Sequence, residues 1–187
     1  MFHFPNLSWT VLQAESMDVP ILMAETEGVK EEELLDLSSA LSRAKAEHKI
    51  EGIYTGALAS VYQKTRVERA CSELGLKCFS PLWGIDPETH LRNLLAERFS
   101  VIVVSVSALG LGEGWLGRTL DELAIQELVQ LGTKYRFHVA FEGGEGETFV
   151  LDCPLFRKRI EVLASTKTWS RDSGYLHIDR ARLVDRT

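Results

Sequence analysis

The residues most suited to chemistry lie at positions 142–148, where three glutamates and three glycines occur in the stretch EGGEGET. Crowded carboxylates repel one another unless a cation, a proton or an amine lies among them. Glycine allows positive φ and lets a backbone approach a ligand closely. The stretch therefore indicates a site with Glu142, Glu145 and Glu147 as candidate acids. A solvated acidic hairpin remains open as the alternative.

The elements around this stretch are predicted to form the second half of the chain. Apolar runs at 137–141 and 149–151 flank it and predict a strand, a loop and a strand. The other elements expected here are a helix at 121–135 and strands at 159–164 and 175–183. This half is therefore predicted to be an α+β lobe.

Strands and helices alternate in the first half of the chain. Helices are expected at 7–17, 31–49, 60–74 and 87–99, and strands at 19–24, 50–55, 77–79 and 100–106. Asp86 and Pro87 suit a helix N-terminus. The β-branched run at 100–106 is typical of a strand buried on both faces. This alternation predicts a parallel sheet covered by helices, and hence an α/β fold.

The composition changes after residue 109, where Gly110, Gly112, Gly114 and Gly117 surround Trp115. Such a connection suits a hinge or a pocket wall between two lobes. The expected division is therefore a lobe at 1–108 and a smaller lobe at 109–187.

The totals exclude several classes of protein. A net charge of −6 and a pI near 5.4 argue against a nucleic-acid surface. The basic residues at 157–159 suit a solvated strand edge. The most apolar window, 101–111, is far too short to span a bilayer, and the first residues lack a basic secretory leader, so the chain is expected to be cytoplasmic.

The cysteines and histidines are not spaced in the sequence as the ligands of a metal site. Cys71, Cys78 and Cys153 lack the CxxC pattern and are expected to be buried structural thiols. The five histidines are scattered. If a metal acts here, Mg²⁺ held by carboxylates and phosphates is the better expectation.

Ligands of open parallel sheets bind beyond the carboxyl ends of the strands. That rule selects the segments 56–66, 81–86 and 109–118. Gln63, Lys64 and Arg66 follow the start of one helix, where amides and side chains can hold a phosphate or a carboxylate. A solvated helix face is the alternative interpretation.

Five segments together resemble the diphthine–ammonia ligase family of ATP pyrophosphatases. They are MFHFPN (1–6), GALASVYQKTRVERACSELGL (56–76), PLWGID (81–86), GWLGRTLDE (114–122) and EGGEGETFVLDCPLF (142–156). They occur in that family's order and cover nearly the whole chain.

The resemblance implies a nucleotide-binding lobe of the adenine-nucleotide alpha-hydrolase type and a smaller C-terminal lobe. It implies that ATP adenylates diphthine, a modified histidine of elongation factor 2, and that ammonium displaces AMP to give diphthamide. ATP and Mg²⁺ would be the cofactors, with no membrane and no nucleic acid as partners, and a homo-oligomer is left open.

The resemblance also assigns residues to roles. Glu142, Glu145 and Glu147 would handle a cation, ammonium or protons, and Trp83 or Trp115 would provide apolar walls. The nucleotide- or substrate-binding candidates are Gly56, Ser60, Gln63, Arg66, Trp83, Gly143, Gly144 and Thr148. Metal ligands are not assigned.

One departure from the family bears on activity. Family members carry a phosphate-binding Ser-Gly-Gly-Lys-Asp-Ser loop, which this sequence lacks, and no Gly-x-x-x-x-Gly-Lys motif replaces it. Two expectations follow: the chain is a truncated form of a longer ligase, incomplete at its N-terminus, or it has shed the catalytic half of the site. In either case it would be inactive as it stands. The alternatives are a non-catalytic nucleotide- or protein-binding module, or an ATP pyrophosphatase acting on another carboxylate or on tRNA.

Overall fold

The structure, a computed structural model, describes residues 6–26 and 33–186. They form two compact units, one containing residues 21–26 and 33–85, the other residues 6–20 and 86–186. The units divide between Ile85 and Asp86, whereas the sequence indicated a division after residue 108. The strand at 100–106 accounts for the difference, because it pairs with strands that follow it in the chain.

The first unit has the expected α/β order. Its elements are α2 (Glu33–His48), β1 (Gly52–Tyr54), α3 (Val61–Glu73) and β2 (Lys77–Phe79), while α1 (Thr10–Met17) belongs to the second unit. β1 and β2 pair in parallel, with Ile53 opposite Cys78. α3 crosses between the two strands, so the parallel pairing predicted from the alternation is confirmed here. Residues 31–32, at the start of the predicted second helix, lie outside the described residues.

The strand predicted at 19–24 is absent, since residues 19–26 have no regular structure. Pro20 has no backbone N–H to donate to a ladder. Val19, Ile21 and Met23 are all more than 40% exposed. These three side chains are therefore apolar but not buried.

The second unit is built on an antiparallel sheet. Its elements are α1 (Thr10–Met17), α4 (Pro87–Ala96), β3 (Ser100–Val106), α5 (Glu122–Tyr135), β4 (Gly146–Asp152), β5 (Lys158–Ser170) and β6 (Ser173–Asp185). The strand order is β4-β3-β6-β5. β5 and β6 form a long hairpin. This unit therefore has the α+β character predicted for the second lobe.

The sequence prediction for β3 was right about burial and wrong about direction. Six of its seven residues are buried, but it pairs antiparallel with both β4 and β6. A continuous run of β-branched residues indicates that both faces of a strand are buried. It does not indicate whether the strand pairs in parallel or antiparallel. Val103, Val104 and Val106 pack with Ile125 and Leu128 of α5 in the core of this unit.

Side-chain caps fix the ends of three helices where the sequence placed them. The Asp86 carboxylate accepts a hydrogen bond from the Thr89 N–H at 2.8 Å. The Asp121 carboxylate accepts one from the Ala124 N–H at 2.8 Å. Ser60 caps α3 in the same way. Each cap satisfies an N–H group that the first turn leaves without a partner.

The residues before and within α1 are attached to the sheet of the second unit. The Asn6 side chain accepts a hydrogen bond from the Ile178 N–H and donates one to the Leu176 carbonyl, both at 2.8 Å. The Gln13 amide donates to the Val150 carbonyl at 2.9 Å. Buried Ser16 accepts from the Lys158 N–H. These contacts place residues 6–18 in the second unit. Among the described residues, no helix has the length and apolar character needed to cross a membrane.

The glycine-rich segment 110–117 lies inside the second unit, not between the two units. A Cβ on Gly110 would lie 2.4 Å from the Tyr135 ring, and its φ is +94°. Leu111, Trp115 and Leu116 are buried in the core. The hinge interpretation was therefore wrong. Gly110 allows close packing against Tyr135, whereas a Cβ on Gly112 or Gly114 would meet nothing within 4 Å.

Candidate functional site

The acidic stretch begins in a turn, and the strand predicted at 137–141 is not formed. The Phe141 N–H donates to the His138 carbonyl at 2.8 Å, and Phe141 has a φ of +61°. A Cβ on Gly132 of α5 would lie 2.4 Å from Val139. The apolar run therefore packs back against α5 while the chain reverses into β4.

Glu145 organises the turn through both of its carboxylate oxygens. Oε1 accepts a hydrogen bond from the His138 N–H at 2.9 Å. Oε2 accepts one from the Gly143 N–H at 2.8 Å. A carboxylate engaged with two backbone donors holds the loop in one conformation. These contacts leave Glu145 as a support of the acidic loop, residues 142–147.

The glycines of the acidic loop have different roles. A Cβ on Gly143 would lie 2.6 Å from Glu145 Oε1, so its absence makes room for the carboxylate. Gly144 has open space around it but a φ of +85°. A Cβ on Gly146 would lie 2.6 Å from the Ser105 carbonyl oxygen. Each glycine is thus accounted for by packing or by backbone conformation within the loop.

Ser107, which sequence analysis did not single out, anchors the acidic loop to the end of β3. Its hydroxyl donates to the Gly144 carbonyl at 2.6 Å. Its N–H donates to the Glu145 carbonyl at 2.8 Å. A serine following a buried strand carries no recognisable signal in a single sequence, so only the fold could reveal this contact.

Gly146 and Glu147, at the end of the acidic loop, and Thr148 after it belong to β4. Glu147 lies opposite Ser105, and Thr148 lies opposite Val103, with a register shift between the two pairs. Thr148 is exposed and Glu147 is half-buried. A bulge beside a site is a common way to re-aim a side chain.

His90, in the second turn of α4, lies within electrostatic range of Glu142. Burial lowers the pKa of His90 below its ordinary value of 6.5, and the Glu142 carboxylate partly offsets this effect. The imidazole is therefore neutral at pH 7 and sits near a carboxylate. Sequence analysis dismissed His90 because its spacing to the other histidines shows no pattern.

The carboxylates do not fit the Mg²⁺ site expected from the sequence. Within residues 6–26 and 33–186, no group of three or more His, Cys, Asp or Glu side chains is arranged to hold a metal ion. Both oxygens of Glu145 already accept backbone hydrogen bonds. The acidic loop is therefore assigned no metal-dependent step.

A cavity of about 410 Å³ opens at the carboxyl ends of β1 and β2 in the first unit, where ligands of parallel sheets are expected. Its lining consists of Tyr54, Lys64, Glu68, Cys78, Phe79, Ser80 and Pro81. The Tyr54 and Phe79 rings stack with centroids 5.2 Å apart, and they are 78% and 43% exposed. The cavity therefore offers apolar ring surface beside two charged groups.

The loops after β1 and β2 are joined by hydrogen bonds. The hydroxyls of Thr55 and Ser80 lie 2.9 Å apart, and the Gly84 N–H donates to the Leu58 carbonyl at 2.8 Å. One loop precedes α3, and the other precedes Asp86. The mouth of the cavity is therefore held by backbone and side-chain contacts.

None of the nucleotide-binding candidates of the first unit is among the lining residues of this cavity. Trp83 lies under Lys64, whose Nζ is 4.3 Å from the ring centroid. Ser60 accepts a hydrogen bond from the Gln63 N–H. The Arg66 guanidinium stacks on Tyr62 at 3.4 Å. A Cβ on Gly56 would meet nothing within 4 Å. Lys64 thus links the predicted segment to the cavity.

The basic residues at 157–159 are each close to a carboxylate. Arg157 lies 2.8 Å from Asp18, Lys158 lies 3.8 Å from Asp185, and Arg159 lies 3.8 Å from Glu161. They begin β5, which is an edge strand of its sheet. The solvated edge predicted for this cluster is confirmed.

Comparison with known proteins gives matches over both units. Residues 1–78 match the family described as the diphthamide synthase N-terminal domain, and residues 86–184 match its C-terminal domain. Residues 86–184 include the acidic loop and all strands of the antiparallel sheet.

Curated relatives are similar along most of the chain. The human protein named diphthine–ammonia ligase is 39% identical over 155 residues, which are 82% of this chain and 57% of the human protein. The mouse protein of that name is 38% identical over 181 residues, covering 94% and 66%. The zebrafish (Danio rerio) protein is 33% identical over 193 residues, covering 94% and 75%. The chain thus spans 57–66% of the length of the human and mouse proteins.

Proposed function

The chain belongs to the diphthamide synthase family, and we propose that it functions as an ATP-dependent ligase that forms diphthamide from diphthine and ammonium. Two features support this: the matches to both family domains, and an acidic loop held rigid by Glu145. Elongation factor 2 would be the protein that carries diphthine.

The reaction has to replace a poor leaving group by a good one. A carboxylate oxygen of diphthine would attack the α-phosphorus of ATP and release pyrophosphate, and the nitrogen of ammonia would then attack the acyl carbon and release AMP. Ammonium must lose a proton before its nitrogen can attack. The protein must therefore hold ammonium and accept that proton.

The three glutamates divide this work in the proposal. Glu145 is a positioning residue, because both of its oxygens hold backbone N–H groups of the loop. Glu142 and Glu147 are the acids assigned to ammonium. His90, whose pKa is lowered by burial and which lies within electrostatic range of Glu142, is a second candidate acceptor for the released proton. The single observation that carries this division is the pair of hydrogen bonds to Glu145.

The cavity at the ends of β1 and β2 suits the adenylate part of the reaction. Its volume of about 410 Å³ lies within the range of roughly 300–1,000 Å³ of small-molecule sites. The stacked rings of Tyr54 and Phe79 offer a surface for an adenine base. Lys64, which also lies 3.8 Å from the Glu68 carboxylate, offers a charge for a phosphate. Trp83 positions the Lys64 ammonium by a cation–π contact.

The test is amide formation on diphthine-bearing elongation factor 2 by the chain extended upstream with a segment that carries the Ser-Gly-Gly-Lys-Asp-Ser loop, supplied with ATP and ammonium and measured by mass spectrometry of the modified peptide. Glu142→Gln and Glu147→Gln should abolish amide formation while circular dichroism shows an intact fold. Glu97→Gln, at an exposed position after α4, is the matched control and should keep full activity. Full activity of both site variants would contradict the assignment.

A non-catalytic nucleotide-binding module is the second candidate, because the sequence lacks the Ser-Gly-Gly-Lys-Asp-Ser loop. Calorimetric titration with AMP and ATP, combined with the amide-formation assay, distinguishes the ligase from the binding module. Binding without amide formation, followed by activity once a segment carrying that loop is added upstream, would identify a truncated ligase. Binding without activity in both forms would favour the module.

A further inference from the structure

The β5–β6 hairpin is positively charged, although the chain as a whole is acidic. Residues 157–186 contain eight Lys and Arg side chains against four Asp and Glu, a net charge of +4 in a chain whose net charge is −6. Some of these charges are paired, and Arg182 lies 2.7 Å from Glu161. Lys167 and Arg180 form no ion pair with any other residue that the structure describes. The hairpin therefore carries a local excess of cations that the total charge conceals.

Tyr175 and His177 lie on the outer face of the hairpin. Leu176 and Ile178, which alternate with them along β6, are only 3% and 6% exposed because they face the core. Side chains alternate between the two faces of a strand, so both rings point away from the core. Tyr175 is 41% exposed, and the two ring centroids lie 6.3 Å apart. The outer face therefore presents two neighbouring rings to solvent.

A bulge brings two arginines onto the same outer face. The register of the hairpin shifts twice near the middle of β5, and a bulge re-aims the side chains that follow it. Beyond it, Ala181 and Leu183 pack against the core. Arg180 and Arg182, which alternate with them, therefore lie on the outer face, and both are exposed. With the two rings they form the aromatic–arginine row, residues 175–182, which is about 23 Å long at the usual strand rise.

We propose that the aromatic–arginine row binds single-stranded RNA, with its rings stacked on bases and its arginines in contact with phosphates. Bases of single strands stack on aromatic side chains, and Lys and Arg side chains neutralise the backbone. An acidic polypeptide would satisfy the arginines but would offer no bases to the rings. The inference departs from the sequence prediction that nucleic acid is not a partner, and it does not depend on the proposed ligase function.

Hydroxyl groups beside the rings favour RNA over DNA. Thr168 lies opposite Tyr175, and Thr166 lies opposite His177; both threonines are exposed. The Thr166 hydroxyl donates to the Asp179 carboxylate at 2.8 Å, so the threonine oxygen remains an acceptor. The ribose 2′-hydroxyl, which donates and accepts hydrogen bonds, is the group by which proteins distinguish RNA from DNA. A ribose whose base stacks on His177 can therefore donate to this pair of side chains.

The test is fluorescence anisotropy of the whole chain with a fluorescein-labelled oligouridylate of about 12 nucleotides, a length within the range of single-strand sites. The Kd should rise with salt concentration, because phosphate contacts release counterions. The oligodeoxyuridylate of the same length should bind more weakly, and polyglutamate should not displace the RNA. No binding at low salt, equal binding of the DNA, or displacement by polyglutamate at equal charge would each overturn the proposal.

Variants distinguish the rings from the charges. Tyr175→Ala should weaken binding at least about fivefold, the contribution of one stacked base, and should leave the salt dependence unchanged. Tyr175→Phe keeps the ring and should bind as the natural chain does, while His177→Ala is the second ring variant and should behave as Tyr175→Ala. Arg180→Gln should reduce the slope of log K against log salt concentration by about 0.7, the value for one phosphate of a single strand.

The matched control is Arg98→Gln, which removes an exposed charge outside the hairpin and should leave the affinity and the salt slope unchanged. Circular dichroism should be unchanged in every variant, because all the substituted side chains are exposed. Full binding by folded Tyr175→Ala and His177→Ala, or an equal loss in Arg98→Gln and Arg180→Gln, would show that the aromatic–arginine row is not the binding surface.

Discussion

The Glu145 carboxylate occupies the space in which a Cβ of Gly143 would lie, and it accepts a hydrogen bond from the Gly143 N–H at 2.8 Å. The contact therefore needs both the Glu145 carboxylate and the absence of a side chain at Gly143. This relationship explains why a glycine lies two positions before Glu145 in the acidic loop.

Gly143→Ala should displace the Glu145 side chain and break its hydrogen bonds. Because hydrogen bonds to charged groups contribute about 1.5–3 kcal/mol each when buried and less near the surface, we expect a loss of about 1–3 kcal/mol in the free energy of unfolding. Urea denaturation measures it. Gly112→Ala, where a Cβ would meet nothing within 4 Å, is the control; an equal loss there would refute the explanation.

Glu145→Gln should weaken the loop without removing bulk. The amide keeps one acceptor oxygen and turns an NH₂ group toward a backbone N–H, so one hydrogen bond is replaced by an unfavourable contact. A loss of about 1–2 kcal/mol is expected. Faster hydrogen exchange at the His138 and Gly143 amides would identify the cause. Unchanged exchange at both would count against a positioning role.

Ser107→Ala should loosen the loop at its other attachment. Removing the hydroxyl leaves the Gly144 carbonyl without this donor, and a typical hydrogen bond contributes about 0.5–1.5 kcal/mol. The measurement is the free energy of unfolding, with exposed Ser72→Ala as the control. If the proposed function holds, amide formation should fall in Ser107→Ala although Ser107 touches no substrate.

Gly146→Ala should cost more than Gly144→Ala, although only Gly144 has a positive φ. A Cβ on Gly146 meets the backbone carbonyl of Ser105 at 2.6 Å, which cannot move without breaking the β3–β4 pairing. Overpacking of this kind costs about 1–3 kcal/mol, against about 1–2 kcal/mol for a left-handed conformation. Thermal unfolding of both variants tests the order, and the reverse order would show that strand pairing yields more easily than the turn.

The pKa of His90 should fall further in Glu142→Gln. Burial lowers it below 6.5, and the carboxylate opposes that effect by favouring the imidazolium. Removing the negative charge therefore shifts the pKa downward. An NMR titration of the His90 ring measures this, and an upward shift would show that the two groups do not interact as described.

The lowered pKa of His90 in the natural chain also predicts that stability depends on pH. The folded chain binds fewer protons than the unfolded chain between the folded pKa of His90 and 6.5. His90 therefore lowers the free energy of unfolding as the pH falls through that window. Replacing His90 by Gln should flatten this part of the stability curve, as urea midpoints at a series of pH values would show.

Local structure could be predicted from the sequence wherever one side chain determines it. Ser60, Asp86 and Asp121 each cap a helix, and each is a residue type whose oxygen accepts from the first turn. The β5–β6 hairpin likewise follows from two strand patterns separated by a polar turn at 170–174.

Features that depend on distant partners could not be predicted. The run at β3 shows burial, but its direction is set by β4 and β6, more than forty positions away. The run at 137–141 is apolar because it packs on α5. His90 and Ser107 join the acidic loop only through the fold, so their contacts leave no pattern in the sequence.

The attachments of Asn6, Gln13 and Ser16 bear on how the chain is made. During synthesis these residues leave the ribosome well before β6, whose backbone Asn6 binds. The whole first unit, residues 21–85, is translated in between. The first unit can therefore pack its own small core before β6 is available to residues 6–18. A pause or a substitution that delays β6 would prolong exposure of that segment, including the Trp9 indole, whose N–H donates to the Ile178 carbonyl of β6 at 2.6 Å in the folded chain.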